Sequence, residues 1–397
     1  MPQISRRGTE MPSSPIRKLA PLANAAKAQG VKVYHLNIGQ PDLPTPQKGL
    51  DALKTVTRKT LEYSPSEGYP GLRNKLTGYY KKFGIDLSPE EIIVTTGGSE
   101  AILLSFMSCL DPGDEIIMVE PGYANYISFA KTAGIKVRTV TSTIENGFAL
   151  PPVEAFEKVI TPSTRAILLC NPSNPTGYVY TPEELQKIKD IVLRHDLYLF
   201  SDEVYREFIY NGKPYVSALT LGMDDNVVMI DSVSKRYSEC GIRIGMVVTR
   251  NKKVHDTIMK FCQARLSPPL LGQIVAEASV EGVEDYLKEC HAEYKARRDF
   301  FIEGLNRIPG VVSPMPQGAF YTVASLPVED AEDFCRWLLT DFRMDGETVM
   351  MAPAAGFYSN PGLGRNQVRM AYVLKIEDLK RCLLLLETAL KEYAKKG

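Results

Sequence analysis

The chain has 397 residues, in which 47 Lys and Arg residues balance 47 Asp and Glu residues. Zero formal net charge argues against a nucleic-acid or polybasic membrane partner, so a small molecule bound in a local charged cleft is the expected partner. The length suits about two domains, and the apolar fraction of 44% is typical of a globular protein.

The N-terminus lacks the apolar segment of a signal peptide, and no run of about 18 apolar residues predicts a membrane span. The seven cysteines form no Cys-x-x-Cys pair, which indicates reduced thiols and a cytoplasmic protein. The four histidines are scattered, so we expect no metal site.

Periodicity and caps predict the elements of the first 83 residues. In chain order they are a loose arm over 1–13, a helix from Ser14-Pro15 to Gln29, a strand over 31–38, a helix from Thr45-Pro46, a loop over 63–71 and a helix over 72–83.

From residue 91 onwards, strand-like runs alternate with mostly helical patterns. This alternation predicts an α/β fold with a mostly parallel sheet and helices on both faces. The last run follows its predecessor too closely for a helical crossover, so it predicts one antiparallel strand. The runs lie at 91–95, 115–119, 136–140, 165–170, 197–200, 226–231 and 242–249.

The C-terminal part predicts a smaller α+β domain. Its pattern is a long helix from about 283 to 307, several short strands (311–312, 319–324, 348–351, 367–373) and a helix over 376–395. We therefore divide the chain into an arm and part of the small domain (1–44), a large domain (45–287) and the C-terminal small domain (288–397).

Chemistry-bearing residues follow the apolar run 227–230. Lys235 stands between small hydroxyl residues, Ser232 and Ser234 among them, and Arg243 follows eight residues later. A lysine amine at a strand end can form a Schiff base, and an arginine with serine hydroxyls can bind a phosphate. A surface loop with an ordinary lysine is the alternative.

Two further strand ends carry polar motifs. Asn-Pro-Ser-Asn-Pro-Thr-Gly occupies 171–177, and Ser-Asp-Glu-Val-Tyr occupies 201–205. With Lys235 and Arg243, these segments resemble the class I/II aminotransferases, which are pyridoxal-phosphate (PLP) enzymes of fold type I. The resemblance extends from Asn37 to Met370; it implies a seven-stranded large PLP-binding domain, a small domain from both chain ends, and a homodimer with shared active sites.

The resemblance also implies roles for individual residues. Lys235 would hold the cofactor as a Schiff base and shuttle the substrate proton. Asp202 would pair with the pyridinium nitrogen, while Tyr205 and Asn174 would bind the ring O3′. Tyr123 would stack on the ring. The phosphate would be bound by the helix start Gly97-Gly98-Ser99, by Ser232, Ser234 and Arg243, and by Tyr63 of the neighbouring subunit.

Substrate recognition is assigned on the same basis. Arg369 and the backbone N–H of Gly39 would bind the α-carboxylate beside Asn174, and the domains would close over the substrate. Arg17 or Arg265 could bind a distal carboxylate, which would make aspartate the amino donor and 2-oxoglutarate the acceptor. If neither does, an aromatic or alanine aminotransferase is the alternative.

Other interpretations share parts of this pattern. A PLP-dependent β-lyase, decarboxylase or acyl-transferring synthase would use the same scaffold. A sensor module of a transcription regulator would need a DNA-binding domain before the first strand, and no Gly-x-Gly-x-x-Gly motif supports a nicotinamide enzyme. One departure from the family pattern is Ala352–Phe357, which replaces the usual Pro-Gly-Ser-x-Phe-Gly and leaves the local backbone contacts open.

Overall fold

The computed structural model describes residues 2–396, which form three sheets and the helices around them. The α-helices are α1 Arg6–Glu10, α2 Ala20–Ala28, α3 Gln47–Lys54, α4 Pro70–Lys81, α5 Gly97–Cys109, α6 Asn125–Ala133, α7 Val153–Val159, α8 Pro182–Arg194, α9 Val233–Arg236, α10 Lys252–Arg265, α11 Leu270–Ser279, α12 Glu284–Arg307, α13 Ala331–Thr340 and α14 Ile376–Tyr393. The strands are β1 Lys32–His35, β2 Ile92–Thr95, β3 Glu115–Glu120, β4 Lys136–Thr141, β5 Thr164–Cys170, β6 Tyr198–Asp202, β7 Val227–Ser232, β8 Gly245–Val248, β9 Tyr321–Ser325, β10 Glu347–Met350, β11 Ala352–Pro353 and β12 Gln367–Ala371.

The central sheet has seven strands in the order β2-β8-β7-β6-β5-β3-β4. All the pairs from β4 across to β7 are parallel, whereas β8 runs antiparallel to both of its neighbours. The predicted α/β fold and its single antiparallel strand are therefore confirmed. Strands β2, β5 and β7 are almost entirely buried on both faces, as expected where helices cover both sides of a sheet, whereas the edge strand β4 is partly exposed.

The strand ends bring distant parts of the chain together. Cys170 at the end of β5 is paired with Asp202 at the end of β6, and Asp202 in turn with Ile230 of β7. Because these strands are parallel, their carboxyl ends lie at one edge of the sheet, where ligands bind in such folds. The polar segments that follow the three strands therefore meet there.

The smaller α+β part combines both ends of the chain, as predicted. β1 pairs in parallel with β10, more than 300 residues later, and β9, β11 and β12 form a separate antiparallel sheet. The long helices α12 and α14 pack against each other beside these sheets. The domain boundaries at 44 and 287 stay predictions.

The N-terminal segment differs from its prediction in two places. Residues 6–10 of the expected loose arm form α1, whose first turn is capped by the Ser5 hydroxyl. The next helix, α2, begins at Ala20 and not at Pro15, because Pro21 has no N–H to bond into a preceding helical turn and is tolerated only in the first turn. Residues 15–19 form turns instead, with Ser14 O accepting the N–H groups of residues 17 and 18.

None of the helices within residues 2–396 combines the length and the apolar run needed to cross a bilayer.

Candidate active site

A cavity of about 730 Å³ opens at the carboxyl edge of the large sheet, between it and the smaller α+β part. It brings together residues from regions of the chain that are far apart in sequence. Its walls include most of the residues singled out in the sequence: Arg17, Gly39, Gly98, Ser99, Tyr123, Asn174, Asp202, Tyr205, Ser232, Ser234, Lys235, Arg243 and Arg369.

Lys235 reaches into this cavity from α9, the single turn after β7. The Ser232 hydroxyl accepts the N–H of Ser234 at 3.1 Å and so caps this turn. The Lys235 Nζ donates to the Gly39 carbonyl at 2.9 Å and lies 4.0 Å from the Cys240 Sγ. The amine is therefore held by the N-terminal segment on the opposite side of the cavity.

Asp202 is a buried carboxylate at the end of β6. Burial raises its pKa to about 6, although hydrogen bonds from the Tyr126 hydroxyl at 2.6 Å and the Val204 N–H at 3.3 Å favour the charged form. A cation placed against this carboxylate would offset the cost of its burial. Tyr126 was not identified from the sequence; its only signal was its position three residues after Tyr123.

Tyr205, Asn174 and Tyr321 form a buried hydrogen-bonded group. Asn174 Nδ2 donates to the Tyr205 hydroxyl at 3.4 Å, and the Tyr321 hydroxyl lies 3.0 Å from that of Tyr205. The two phenol rings meet edge to face at 5.6 Å. Tyr321 was also missed, because an aromatic residue beginning a buried strand looks like a core residue.

Arg243 lies against the start of α5. It is in the left-handed region, with φ 58°, and its Nη1 donates to the Cys240 carbonyl at 2.9 Å. A Cβ on Gly97 would lie 2.3 Å from Arg243 Nη2, and a Cβ on Gly245 would lie 2.4 Å from the Gly97 carbonyl carbon. The two glycines therefore let the guanidinium and the first turn of α5 approach one another, which makes a cradle for an anion.

Arg369 is a buried guanidinium, 1% exposed, on β12. Its Nη1 donates to Asn174 Oδ1 at 3.3 Å, its Nη2 donates to the Asn37 carbonyl, and its Nε has no hydrogen-bond partner. Burial lowers its pKa. Among residues 2–396 no carboxylate forms an ion pair with it, so it faces the cavity as a buried cation that an anionic ligand would satisfy.

The family profile described as "Aminotransferase class I and II" matches residues 31–381.

The chain belongs to the class I and II aminotransferases.

Relatives and solved structures agree over nearly the whole chain. The aspartate aminotransferase of Bacillus subtilis (strain 168) is 31% identical over 392 residues, which cover 96% of this chain and 97% of that protein. The structure of an alanine aminotransferase from Pyrococcus furiosus has a TM-score of 0.90 at 31% identity and covers 98% of this chain and 100% of that one. The aspartate aminotransferase from Thermus thermophilus with maleate has a TM-score of 0.88 at 28% identity and the same coverage.

This aminotransferase is a PLP-dependent enzyme that transfers an amino group between an amino acid and a 2-oxo acid. The cavity fits that cofactor. The glycine-lined cradle at Arg243 suits a phosphate, and the buried Asp202 suits a protonated ring nitrogen. The Lys235 amine lies within the same cavity.

Three predicted residues do not line the cavity: Gly97, whose neighbours Gly98 and Ser99 do line it, and two that lie elsewhere in the chain. Tyr63 is 75% exposed, on the loop before α4. Arg265 lies 3.6 Å from Glu100 and donates to the Ser66 carbonyl at 3.1 Å, so its guanidinium is used within the large domain. Arg17, in contrast, lines the cavity, and no carboxylate forms an ion pair with it in the described part of the chain.

Proposed function

We propose that Lys235, Asp202, Tyr205 and Arg369 carry out the aminotransferase reaction of this chain, with an amino dicarboxylic acid, aspartate, as the donor. The observation that carries this proposal is the buried Arg369, which lines the same cavity as Lys235 and has no ion-pair partner within residues 2–396. A bidentate guanidinium recognises the planar α-carboxylate of an amino acid. Its fixed position would present the substrate Cα to the lysine.

When bound, the cofactor supplies the electron sink that makes the substrate Cα proton acidic. The protein's own groups do the rest. Arg369 and the Gly39 backbone would orient the α-carboxylate, and Asp202 would keep the ring nitrogen protonated. The Lys235 amine, once free, would accept the proton from the substrate Cα and return it as the general acid of the reaction. Tyr205 and Asn174 would hydrogen-bond the ring oxygen, and Tyr123 would stack on the ring.

The cradle at the start of α5 would bind the cofactor phosphate. Its groups are the Gly97, Gly98 and Ser99 backbone, the Ser232 and Ser234 hydroxyls, and Arg243. The borohydride-reduced enzyme should carry the cofactor on the Lys235 peptide. Mass spectrometry of PLP-replete protein tests this, and reduced protein with an unmodified Lys235 peptide would contradict the assignment.

The aspartate preference rests on Arg17. Arg17 is an exposed residue that lines the cavity and has no ion pair in the described part of the chain, whereas the guanidinium of Arg265 already contacts Glu100 and the Ser66 carbonyl. A second carboxylate in the substrate would therefore meet Arg17, because burying an unpaired charge is costly. Maleate, with which the Thermus thermophilus aspartate aminotransferase was solved, is also a dicarboxylate.

An amino-donor panel against 2-oxoglutarate tests this preference. Arg17→Leu should lower kcat/KM for aspartate by ~10–100-fold, which corresponds to the loss of a charged hydrogen bond of about 1.5–3 kcal/mol. The kcat/KM values for alanine and phenylalanine should barely change. Arg265→Leu is the matched comparison. If it alone produces the aspartate-specific loss, the distal clamp is Arg265, and if wild-type enzyme prefers alanine or phenylalanine, the aspartate assignment is wrong.

The same assay distinguishes a β-lyase from an aminotransferase. A lyase would release ammonia and a 2-oxo acid without forming glutamate from 2-oxoglutarate, so glutamate formation decides between the two.

We further propose a homodimer in which Tyr63 of each subunit completes the other's site. The Tyr63 loop is held to the segment after α10 by the Ser64 and Ser66 hydroxyls, which donate to the Pro268 and Leu266 carbonyls. Apolar side chains are exposed on the two segments, and such a surface suits a second copy. They are Leu61, Tyr63, Leu266 and Leu271.

Hybrid dimers test this arrangement. Mixing Tyr63→Phe subunits with inactive Lys235→Ala subunits should create one site with neither change, and activity should rise above that of the Tyr63→Phe parent. If Tyr63 served its own subunit, no intact site could form and activity would not rise. A cytoplasmic location stays a prediction from the cysteine pattern.

A further inference from the structure

The hydroxyl of Tyr321 faces two hydrogen-bond acceptors. It lies 3.3 Å from the Gly39 carbonyl and 3.0 Å from the Tyr205 hydroxyl, and Tyr321 is 2% exposed. A phenol carries one proton, so it donates to only one of these acceptors at a time. The other acceptor then depends on a different donor.

Each acceptor has a second donor in the structure. Lys235 Nζ donates to the Gly39 carbonyl at 2.9 Å, and Asn174 Nδ2 donates to the Tyr205 hydroxyl at 3.4 Å. When the Lys235 amine donates to the Gly39 carbonyl, the Tyr321 hydroxyl can donate its proton to the Tyr205 hydroxyl. The Tyr205 proton is then directed away from Tyr321 and into the cavity.

We propose that Tyr321 is a positioning residue that couples the state of the Lys235 amine to the direction of the Tyr205 hydroxyl proton. This inference rests on the proposed roles of Lys235 and Tyr205, and it adds a connection between them. While Lys235 is bound to the cofactor, its nitrogen no longer donates a hydrogen bond to the Gly39 carbonyl. The Tyr321 proton turns to that carbonyl, and Tyr205 donates to the Tyr321 oxygen.

The energies favour this exchange. A buried carbonyl left without a donor costs more free energy than the reversal of one phenol–phenol hydrogen bond. When substrate frees the lysine, the amine returns to Gly39 and both hydroxyls reverse. Tyr205 then donates to the cofactor oxygen at the stage where negative charge on the cofactor is to be stabilised.

Packing holds Tyr321 in place for this role. A Cβ on residue 39 would lie 1.9 Å from the Tyr321 hydroxyl oxygen, so only glycine leaves room for it. On the other side, the Arg369 guanidinium lies 4.7 Å from the centre of the Tyr321 ring. The ring therefore stays between the residue proposed to bind the carboxylate and the carbonyl that holds the lysine.

Tyr321→Phe tests the coupling through the pH titration of the visible absorption of the cofactor-loaded enzyme. Without the Tyr321 oxygen, Tyr205 donates to the cofactor oxygen in the resting enzyme. This stabilises negative charge there and weakens the hold on the proton of the Lys235 linkage. The titration midpoint should fall by about one pH unit, the effect of a hydrogen bond to a charged group.

The second readout is whether the shift in the titration midpoint depends on Tyr205. In a Tyr205→Phe background the same Tyr321→Phe change should leave the midpoint where Tyr205→Phe put it, because no Tyr205 proton remains to redirect. A purely structural role, such as support of Arg369, would raise KM in both backgrounds without this dependence. Tyr372→Phe is the matched control, since its buried hydroxyl donates to the Ala319 carbonyl at 3.2 Å outside the cavity; its midpoint should equal that of wild type.

The outcomes separate the coupling from the proposed roles. A visible band in wild-type enzyme with an unchanged midpoint in Tyr321→Phe overturns the coupling alone, as does an equal shift in the Tyr205→Phe background. A wild-type enzyme with no cofactor on Lys235 overturns the proposed role of that residue and the coupling with it.

Discussion

Asp231→Asn should destabilise the protein more than any single surface change, because Asp231 is the carboxylate shared by two arginines in a fully buried charge cluster. Its carboxylate accepts from Arg236 Nη1 at 2.8 and 2.9 Å, from the Tyr80 hydroxyl at 2.9 Å and from the Ser232 N–H at 2.7 Å. Arg206 Nη1 lies 3.4 Å away. All three charged side chains are at most 1% exposed.

The size of the expected loss in stability follows from the ion pairs that each arginine keeps after the substitution. Arg206 retains Glu203 at 3.2 Å, whereas the only ion pair of Arg236 within residues 2–396 is with Asp231. Removing the carboxylate therefore leaves one uncompensated buried cation, which costs about 3–5 kcal/mol. The tyrosine rings around Arg236, with Tyr79 4.3 Å from its guanidinium carbon, recover part of this cost.

Urea unfolding of the cofactor-free protein, followed by circular dichroism, measures the change in the free energy of unfolding. The matched control is Asp224→Asn, whose carboxylate pairs with Arg250 at 2.7 Å but is 54% exposed. Its loss should stay below about 1 kcal/mol. Replacing the pair together, Asp231→Leu with Arg236→Met, should recover stability relative to Asp231→Asn. The reasoning would be refuted if Asp231→Asn cost no more than Asp224→Asn.

Two further predictions concern the cofactor pocket. Gly97→Ala should weaken PLP binding by ~10–100-fold, because the φ of +75° and the Arg243 guanidinium leave no room for a Cβ. Gly98→Ala should weaken binding less, because the nearest atom to its added Cβ is 3.8 Å away. Equal losses of affinity in a fluorescence titration would contradict the proposed phosphate cradle. Asp202→Asn should stabilise the cofactor-free protein by up to about 3 kcal/mol above pH 6 and leave it unchanged below about pH 4. Burial raises the pKa of Asp202 in the folded state from 3.8 to about 6, so the folded state loses stability as the pH rises through this window. Urea unfolding below and above the window measures the sign of the effect. An equal gain in stability at both pH values would exclude titration of Asp202 as the cause.

Local pattern was sufficient for most of the fold. The apolar runs at 165–170, 197–200 and 226–231 predicted β5, β6 and β7, because strands buried on both faces appear as continuous apolar segments. The short distance from β7 to β8 predicted the antiparallel strand. The start of α2 was placed wrongly because Ser14-Pro15 and Pro21 compete as N-terminal signals, and only the turn over 15–19 shows which of them begins the helix.

Local sequence context was enough to single out Lys235, Asp202 and Arg243 as candidate site residues, because the first two follow buried strands and the third is framed by glycines. The neighbours of these residues follow from the packing of the chain. The Tyr126 hydroxyl on Asp202, the Tyr321 hydroxyl between Gly39 and Tyr205, and the separation of Arg17 from Arg265 all depend on contacts between residues far apart in the chain. Such contacts are set by how the sheets and helices pack, and a hydroxyl or a guanidinium has the same local sequence signal whether it faces solvent, the core or a substrate.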